Sequence, residues 1–194
     1  MRVKVAIIGS GPSGLLLGQL LANAGIETVI LDRASKDHIL GRVRAGVLEE
    51  GMVHLMDEAG AGTRMHAEGL PHDGISLAFD GRDHRIDLHG LTGGKRVLIY
   101  GQTELTHDLM DKREISGGIS VYEAENVMPY DFAGKSPYVT YEKDALRTAS
   151  TAISSPAATA STAPAASRFR KPPSAPSRKS IPSAGLVFSP TCRR

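Results

Sequence analysis

Gly9, Gly11 and Gly14 stand in the run GSGPSG, between an apolar stretch that ends at Ile8 and another that opens at Leu15. The pattern G-x-G-x-x-G gains meaning from that context, because it falls where a strand would turn into a helix. The three glycines serve different ends. Gly9 permits a tight turn, Gly11 lets the backbone approach a diphosphate, and Gly14 lets the helix pack on the strand. A helix that starts there offers free backbone N–H groups and the positive end of its dipole to phosphates. Asp32 closes the next apolar run, ETVILD (27–32), 18 residues after Gly14. A carboxylate at that place can accept from ribose hydroxyls, although taken alone it also reads as a solvated strand end. Together these residues predict a dinucleotide site, and they leave open whether the dinucleotide is a flavin or a nicotinamide.

Arg42 and Arg44, in GRVRAG, are a second candidate group. Two guanidiniums beside glycine-rich turns can grip phosphates in bidentate fashion, and the same residues could simply form a solvated basic loop.

The elements needed to hold these groups are readable from periodicity. VKVAII (3–8) and ETVILD suit buried strands, and SGLLLGQLLANA (13–24) suits a helix stopped by Gly25. Val47, Leu48, Met52, Leu55, Met56 and Ala59 are spaced for a helix over 47–59. ISLAFDGRDHRIDL (75–88) predicts two strands around an Asp-Gly turn. KRVLIY (95–100) predicts a further strand, and 102–115 a helix with Leu105, Leu109 and Met110 on one face. Strands are expected again at 118–122 and 137–142. The class is α/β with an antiparallel insertion.

Composition divides the chain in two. The 194 residues carry a net charge of +2, yet all 21 acids lie in residues 1–144, which net −6, while the last 50 residues carry 8 basic side chains and no acid. Those 50 residues hold 11 Ala, 10 Ser and 7 Pro and show neither helical nor strand periodicity, so residues 145–194 are expected to be a disordered tail beyond a domain at 1–144. The tail's scattered charges could otherwise form a nucleic-acid arm, with only Phe169 and Phe188 able to stack. The single cysteine, Cys192, excludes an internal disulfide and a thiolate-rich metal site. With no signal peptide and no apolar run near the ~18–20 residues of a membrane span, a cytoplasmic protein is expected, with neither nucleic acid nor membrane as partner.

The segments AIIGSGPSGLLLGQLLANAGIETVILDR, GRVRAGVLEEGMVHLMDEAG, GLPHDGISLAF, RIDL and YGQTELTHDLM resemble, in register, the N-terminal part of the single-component FAD-dependent aromatic hydroxylases that act on 4-hydroxybenzoate. That resemblance implies a Rossmann-like FAD-binding domain, truncated relative to the family. It implies FAD as cofactor, NADPH or NADH as co-substrate, and 4-hydroxybenzoate and O2 as the family's substrates, with 3,4-dihydroxybenzoate as product. It further implies that Gly9, Gly11, Ser13 and Gly14 hold the FAD diphosphate and Asp32, in place of the usual Glu, the adenosine ribose. Arg42 and Arg44 would lie near both nucleotides, and Arg33 on the NADPH side. Ala45, Gly46 and Val47 would face the isoalloxazine, and Gln102 would hydrogen-bond the flavin side chain. His72, in LPHDG, would relay the substrate's phenolic proton to solvent, a role its near-neutral intrinsic pKa suits. After Arg33 the run ASKDHILG departs from the family pattern, which leaves the choice of NADPH or NADH open.

The likeness stops near residue 144, and a change of reading frame near 144–150 is the expected cause. Codons read across residue boundaries over PAATASTA (156–163) permit a peptide with the family's Cys-Asp-Gly motif, and SIPSAG (180–185) likewise permits family-like sequence. The expected product is the FAD-binding portion of a hydroxylase, inactive in turnover as this chain. A non-catalytic FAD- or ADP-binding module and a misfolded product with no cofactor are the alternatives.

Overall fold

The structure, a computed structural model, describes residues 1–42, 44–131, 136–144, 146–152 and 186–187. In chain order the elements are β1 (Arg2–Val3), β2 (Val5–Ile8), α1 (Pro12–Asn23), β3 (Thr28–Leu31), α2 (Lys36–Leu40), β4 (Val47–Glu49), α3 (Glu50–Glu58), α4 (Thr63–Glu68) and β5 (Leu70–His72). There follow β6 (Gly74–Phe79), β7 (Arg82–Asp87), α5 (Leu88–Leu91), β8 (Val97–Ile99), α6 (Gln102–Ile115), β9 (Ile119–Val121), β10 (Glu125–Tyr130), β11 (Tyr138–Lys143), β12 (Leu146–Ala152) and β13 (Leu186–Val187).

The centre is a parallel sheet in the order β2-β3-β9, with Val5 to Ile8 paired to Thr28 to Leu31 and Val29 paired to Ile119. β2 and β3 are buried at every position and almost wholly apolar, as parallel strands covered on both faces require, whereas β9 at the edge is partly exposed. Ile7 and Ile30 point into a helical layer with Leu15, Met56, Met65, Leu105, Leu109 and Met110. The alternate residues Ala6, Val29 and Leu31 join Val139 and Tyr141 of the β10-β11-β12 meander. α1 ends where the sequence predicts: the Gly25 N–H donates to the Ala22 carbonyl and the Ile26 N–H to the Leu21 carbonyl, a Schellman stop.

α6 is fastened to the sheet by a buried cation. Arg113 is 1 % exposed. Its Nη2 donates to the Thr28 carbonyl (3.1 Å), the Thr28 hydroxyl (3.0 Å) and the Ile119 carbonyl (2.8 Å), and its Nε to Ser120 Oγ (3.1 Å). Burial pushes this guanidinium below its ordinary pKa.

Between β3 and β9 the chain makes the expected antiparallel excursion. β6 and β7 pair from Gly74↔Asp87 to Phe79↔Arg82, and Asp80 and Gly81 both have positive φ (51° and 68°), as a type I′ hairpin turn demands. β8 is flanked by β4 and β5.

Two expectations are corrected. The helix predicted over 47–59 begins only at Glu50, because Val47–Glu49 pairs with β8 at Val97–Ile99. Met52, Met56 and Ala59 keep the inward helical face, whereas Leu55 is 38 % exposed. The boundary after residue 144 falls too early. Residues 146–152 form β12, paired with β11 over six positions and parallel to β1, across a turn in which Asp144 has φ 53°. Backbone ladder bonds do not need apolar side chains, so the Ala, Ser and Thr of this strand hid it. Leu186–Val187 pairs with β6, and the remainder of the expected disordered tail, 153–185 and 188–194, lies outside the described residues.

Candidate functional site

The glycine run does form the turn between β2 and α1. Gly9 has φ 113°, a conformation closed to most side chains, and its N–H donates to the Leu31 carbonyl at 2.8 Å. Gly11 is the N-cap of α1, Pro12 follows in the first turn, and no side chain caps the helix. The amides of Ser13 and Gly14 are therefore left for an anion, as at other uncapped helix N-termini. A Cβ on Gly14 would overlap the Gly9 carbonyl oxygen and come within 3.3 Å of Ile7 Cγ2. This glycine is required by packing. A Cβ on Gly11 would meet nothing within 4 Å, so its smallness keeps open the space in front of the helix.

Asp32 is not a solvated strand end. Its Oδ2 accepts from the Ser10 amide (2.7 Å) and the Ser10 hydroxyl (2.9 Å), and its Oδ1 from the Ala34 amide (2.9 Å). Ser10 is fully buried. The carboxylate is thus tied to the glycine loop itself. Nothing in the sequence reading marked Ser10, although a hydroxyl at the first x of the glycine pattern was the available signal.

One cleft is lined by Gly9, Gly11, Asp32, Arg42, Arg44 and Gln102, six of the residues expected from sequence, together with Pro12, Ile39 and Thr106. Its far wall is the N-terminus of α6, which also lacks a side-chain cap. Thr106 Oγ1 donates to the Gln102 carbonyl (2.6 Å), and Thr103 Oγ1 donates to the Arg42 carbonyl (3.3 Å), joining that wall to the arginine loop. Two helix N-termini and two exposed guanidiniums therefore surround one opening, an arrangement that concentrates positive potential. The open space over Gly11, the uncapped amides and the carboxylate at the cleft wall fit the diphosphate and ribose of a dinucleotide.

The remaining expected residues are placed less centrally. Ser13 is exposed on the first turn of α1, and Ala45 is exposed beside Arg44. Gly46 has a structural reason of its own, since any Cβ there would overlap the Tyr100 carbonyl group. Val47 and His72 lie on opposite flanks of β8, paired with Ile99 and Val97. His72 is the last residue of β5. Neither His72 nor the exposed Arg33 lines the cleft.

Behind the far wall is a cluster that sequence reasoning missed. Arg64 on α4 binds Asp108 through Nε (2.8 Å) and Glu104 through Nη1, and Tyr100 donates its hydroxyl to the other Asp108 oxygen (2.6 Å). The Arg64 guanidinium also lies 5.9 Å from the Tyr100 ring centroid. Burial and the Asp108 hydrogen bond push the Tyr100 phenol above its ordinary pKa. Desolvation works against the charge on Arg64, and its bonds to Asp108 and Glu104 outweigh that cost and raise its pKa. Arg64 lies more than thirty residues from Tyr100, Glu104 and Asp108 in sequence, too far for any local pattern to show the cluster.

A family described as an FAD binding domain matches residues 2–152. The chain belongs to that FAD-binding family. Among its relatives is the p-hydroxybenzoate hydroxylase of Acinetobacter baylyi, 51 % identical over 144 residues, which cover 74 % of this chain and 35 % of that enzyme. An FAD-dependent monooxygenase of Aspergillus terreus is 32 % identical over 124 residues, covering 58 % of this chain and 17 % of the relative. The chain therefore spans about a third or less of the length of these relatives. Among solved structures, p-nitrophenol 4-monooxygenase PnpA of Pseudomonas putida shares the fold at a TM-score of 0.65 and 16 % identity, over 78 % of this chain and 40 % of that one. The anhydrotetracycline hydroxylase OxyS of Streptomyces rimosus does so at 0.64 and 20 %, over 79 % and 30 %. Among the described residues, no helix is long and apolar enough to cross a membrane.

Proposed function

We propose that this chain is the FAD-holding portion of a flavin-dependent monooxygenase that converts 4-hydroxybenzoate to 3,4-dihydroxybenzoate with NADPH or NADH and O2. The observation that carries the reading is the single cleft that gathers the glycine turn, Asp32, Arg42, Arg44 and Gln102. Bound FAD would supply the redox and oxygen chemistry, and the protein's part is to bind, orient and exclude water. Gly9, Gly11, Ser13 and Gly14 hold the diphosphate on the α1 amides, and Asp32, fixed by Ser10, accepts from the adenosine ribose. Arg42 and Arg44 neutralise phosphate charge of the flavin and the nicotinamide nucleotide, with Arg33 on the outer side of the latter. Ala45, Gly46 and Val47 lie against the isoalloxazine, Gln102 holds the flavin side chain, and His72 passes the phenolic proton to solvent.

The second reading is a module that retains FAD or ADP without turnover. It is favoured by the position of His72, which does not line the cleft that gathers the nucleotide-binding groups. Two measurements on the purified protein decide between them. Titration with FAD, followed by flavin fluorescence and thermal shift, is expected to show saturable binding and a raised melting temperature. NADPH consumption in the presence of 4-hydroxybenzoate is expected to stay at background. Binding with formation of 3,4-dihydroxybenzoate would establish an active enzyme and overturn the module reading, and failure to bind FAD or ADP at all would overturn both.

A further inference from the structure

We infer that Arg64, Asp108 and Tyr100 are positioning residues for the flavin half of the cofactor, acting through Gln102; the inference rests on the function proposed above. Tyr100 immediately precedes Gly101 and Gln102, the N-cap and first residue of α6. Its hydroxyl reaches forward to Asp108, two turns into the same helix, at 2.6 Å. The residue therefore folds back along the helix that it introduces, and the direction in which Gln102 leaves β8 is set by that bond. Asp108 is held in turn by Arg64 at 2.8 Å, and its side chain is only 10 % exposed. Removing the guanidinium would leave a poorly solvated carboxylate beside the phenol.

The same tyrosine fixes the opposite lip of the cleft through its backbone. The Tyr100 N–H donates to the Gly46 carbonyl at 3.0 Å, and Gly46 lies so close to Tyr100 and Gly101 that no side chain fits there. Thr103 adds its bond to the Arg42 carbonyl. The first turn of α6 is thus tied to Arg42 and Gly46, and α4 braces that turn from behind through Arg64. The glycine turn and Asp32 adjoin β2, α1 and β3, and the side-chain bonds of Asp32 run to Ser10 and Ala34 rather than to this cluster. The adenosine half of the cleft and the flavin half accordingly differ in their polar supports, although both rest on one core through Arg113 and the packing of α6 on α1. None of the three residues lines the cleft, so none is expected to touch the cofactor.

That difference gives a test that a purely structural role cannot mimic. Affinities for FAD and for ADP are measured by titration on the full chain, for the wild type and for Tyr100→Phe, Arg64→Met and Arg64→Lys. Loss of one well-placed hydrogen bond to the flavin corresponds to about a tenfold weakening. Tyr100→Phe and Arg64→Met are expected to weaken FAD about tenfold and to leave ADP within about twofold, with Arg64→Lys in between because an ammonium cannot span two carboxylates. In a Gln102→Ala background, Tyr100→Phe is expected to have no further effect on FAD. An unchanged FAD affinity in Tyr100→Phe overturns the inference. So does equal weakening of FAD and ADP, or a full effect that persists without Gln102. Should Arg64→Met fail to fold, Tyr100→Phe, which removes one oxygen and keeps the ring, still decides. A wild type that binds neither ligand overturns the proposed function, and this inference with it.

Discussion

Two of the three glycines in the loop should fail in opposite ways when given a methyl group. In Gly14→Ala the new Cβ overlaps the Gly9 carbonyl oxygen and sits 3.1 Å from the Gly9 carbonyl carbon and 3.3 Å from Ile7 Cγ2. Two of those atoms are backbone and the third belongs to a fully buried side chain, so α1 itself must retreat from β2. Overpacking of this kind costs about 1–3 kcal/mol, and the favourable helix propensity of Ala returns at most about 1 kcal/mol of it. Retreat also carries the Ser13 and Gly14 amides away from the ligand, so FAD should weaken by tenfold or more, at about 1.4 kcal/mol per decade. In Gly11→Ala the backbone, at φ −69° and ψ 174°, suits any residue, and the methyl meets nothing. Stability should therefore rise by about 0.4–1 kcal/mol through the less flexible unfolded chain. The methyl nonetheless fills the space kept for the diphosphate, and FAD affinity should again fall tenfold or more. Urea unfolding with and without FAD measures all four quantities. A Gly14→Ala protein as stable as the wild type, or a Gly11→Ala protein that binds FAD normally, would refute the assignment of packing to one glycine and ligand clearance to the other.

Arg113→Met should cost about 1–3 kcal/mol, since it strips the donor from the buried Thr28 carbonyl; the urea midpoint reads it, and a shift under about 0.5 kcal/mol would dismiss the fastening role. Ser10→Ala, which leaves Asp32 its two backbone donors, should weaken ADP roughly fivefold, or about 1 kcal/mol, and leave inorganic pyrophosphate unaffected. Equal losses for both ligands would point to a displaced loop instead. Because the folded state raises the Tyr100 pKa above its ordinary value of 10.0, the native protein holds this proton more tightly than the unfolded chain. That contribution is complete below pH 10 and is lost as pH rises beyond it. Unfolding midpoints between about pH 8 and 11 should therefore fall less steeply in Tyr100→Phe than in the wild type, and parallel curves would exclude the linkage.

The βαβ opening was legible because all its determinants are local: apolar strands of four residues, a glycine turn and a glycine stop within the first 31 residues. The hairpin was legible for the same reason, through Asp80–Gly81. Reading failed where a distant partner decides. Val47 and Leu48 continue the helical spacing of Met52 and Met56, yet pairing with β8, about fifty residues on, makes them a strand. β12 has no apolar face to announce it and exists through its ladder with β11. The cleft was half legible. Types and spacing marked the glycines, Asp32, Arg42 and Arg44, and the family resemblance added Gln102, but neither marked the residues that hold them. Arg64, Asp108 and Arg113 carry no pattern, because what they contact is set only after the chain has come together.

β3 has one neighbour, β2, that precedes it by a short helical crossover, and another, β9, that arrives only after an excursion of almost ninety residues. Closing a short segment is entropically cheap and fast, whereas closing the long one must wait for several pieces to assemble. A nascent chain can thus shape the diphosphate turn early and complete the opposite wall late, when α6 docks. Cofactor capture would then serve as a report on the final stage of assembly, and a chain stalled before it would hold the adenine nucleotide loosely and the flavin ring hardly at all.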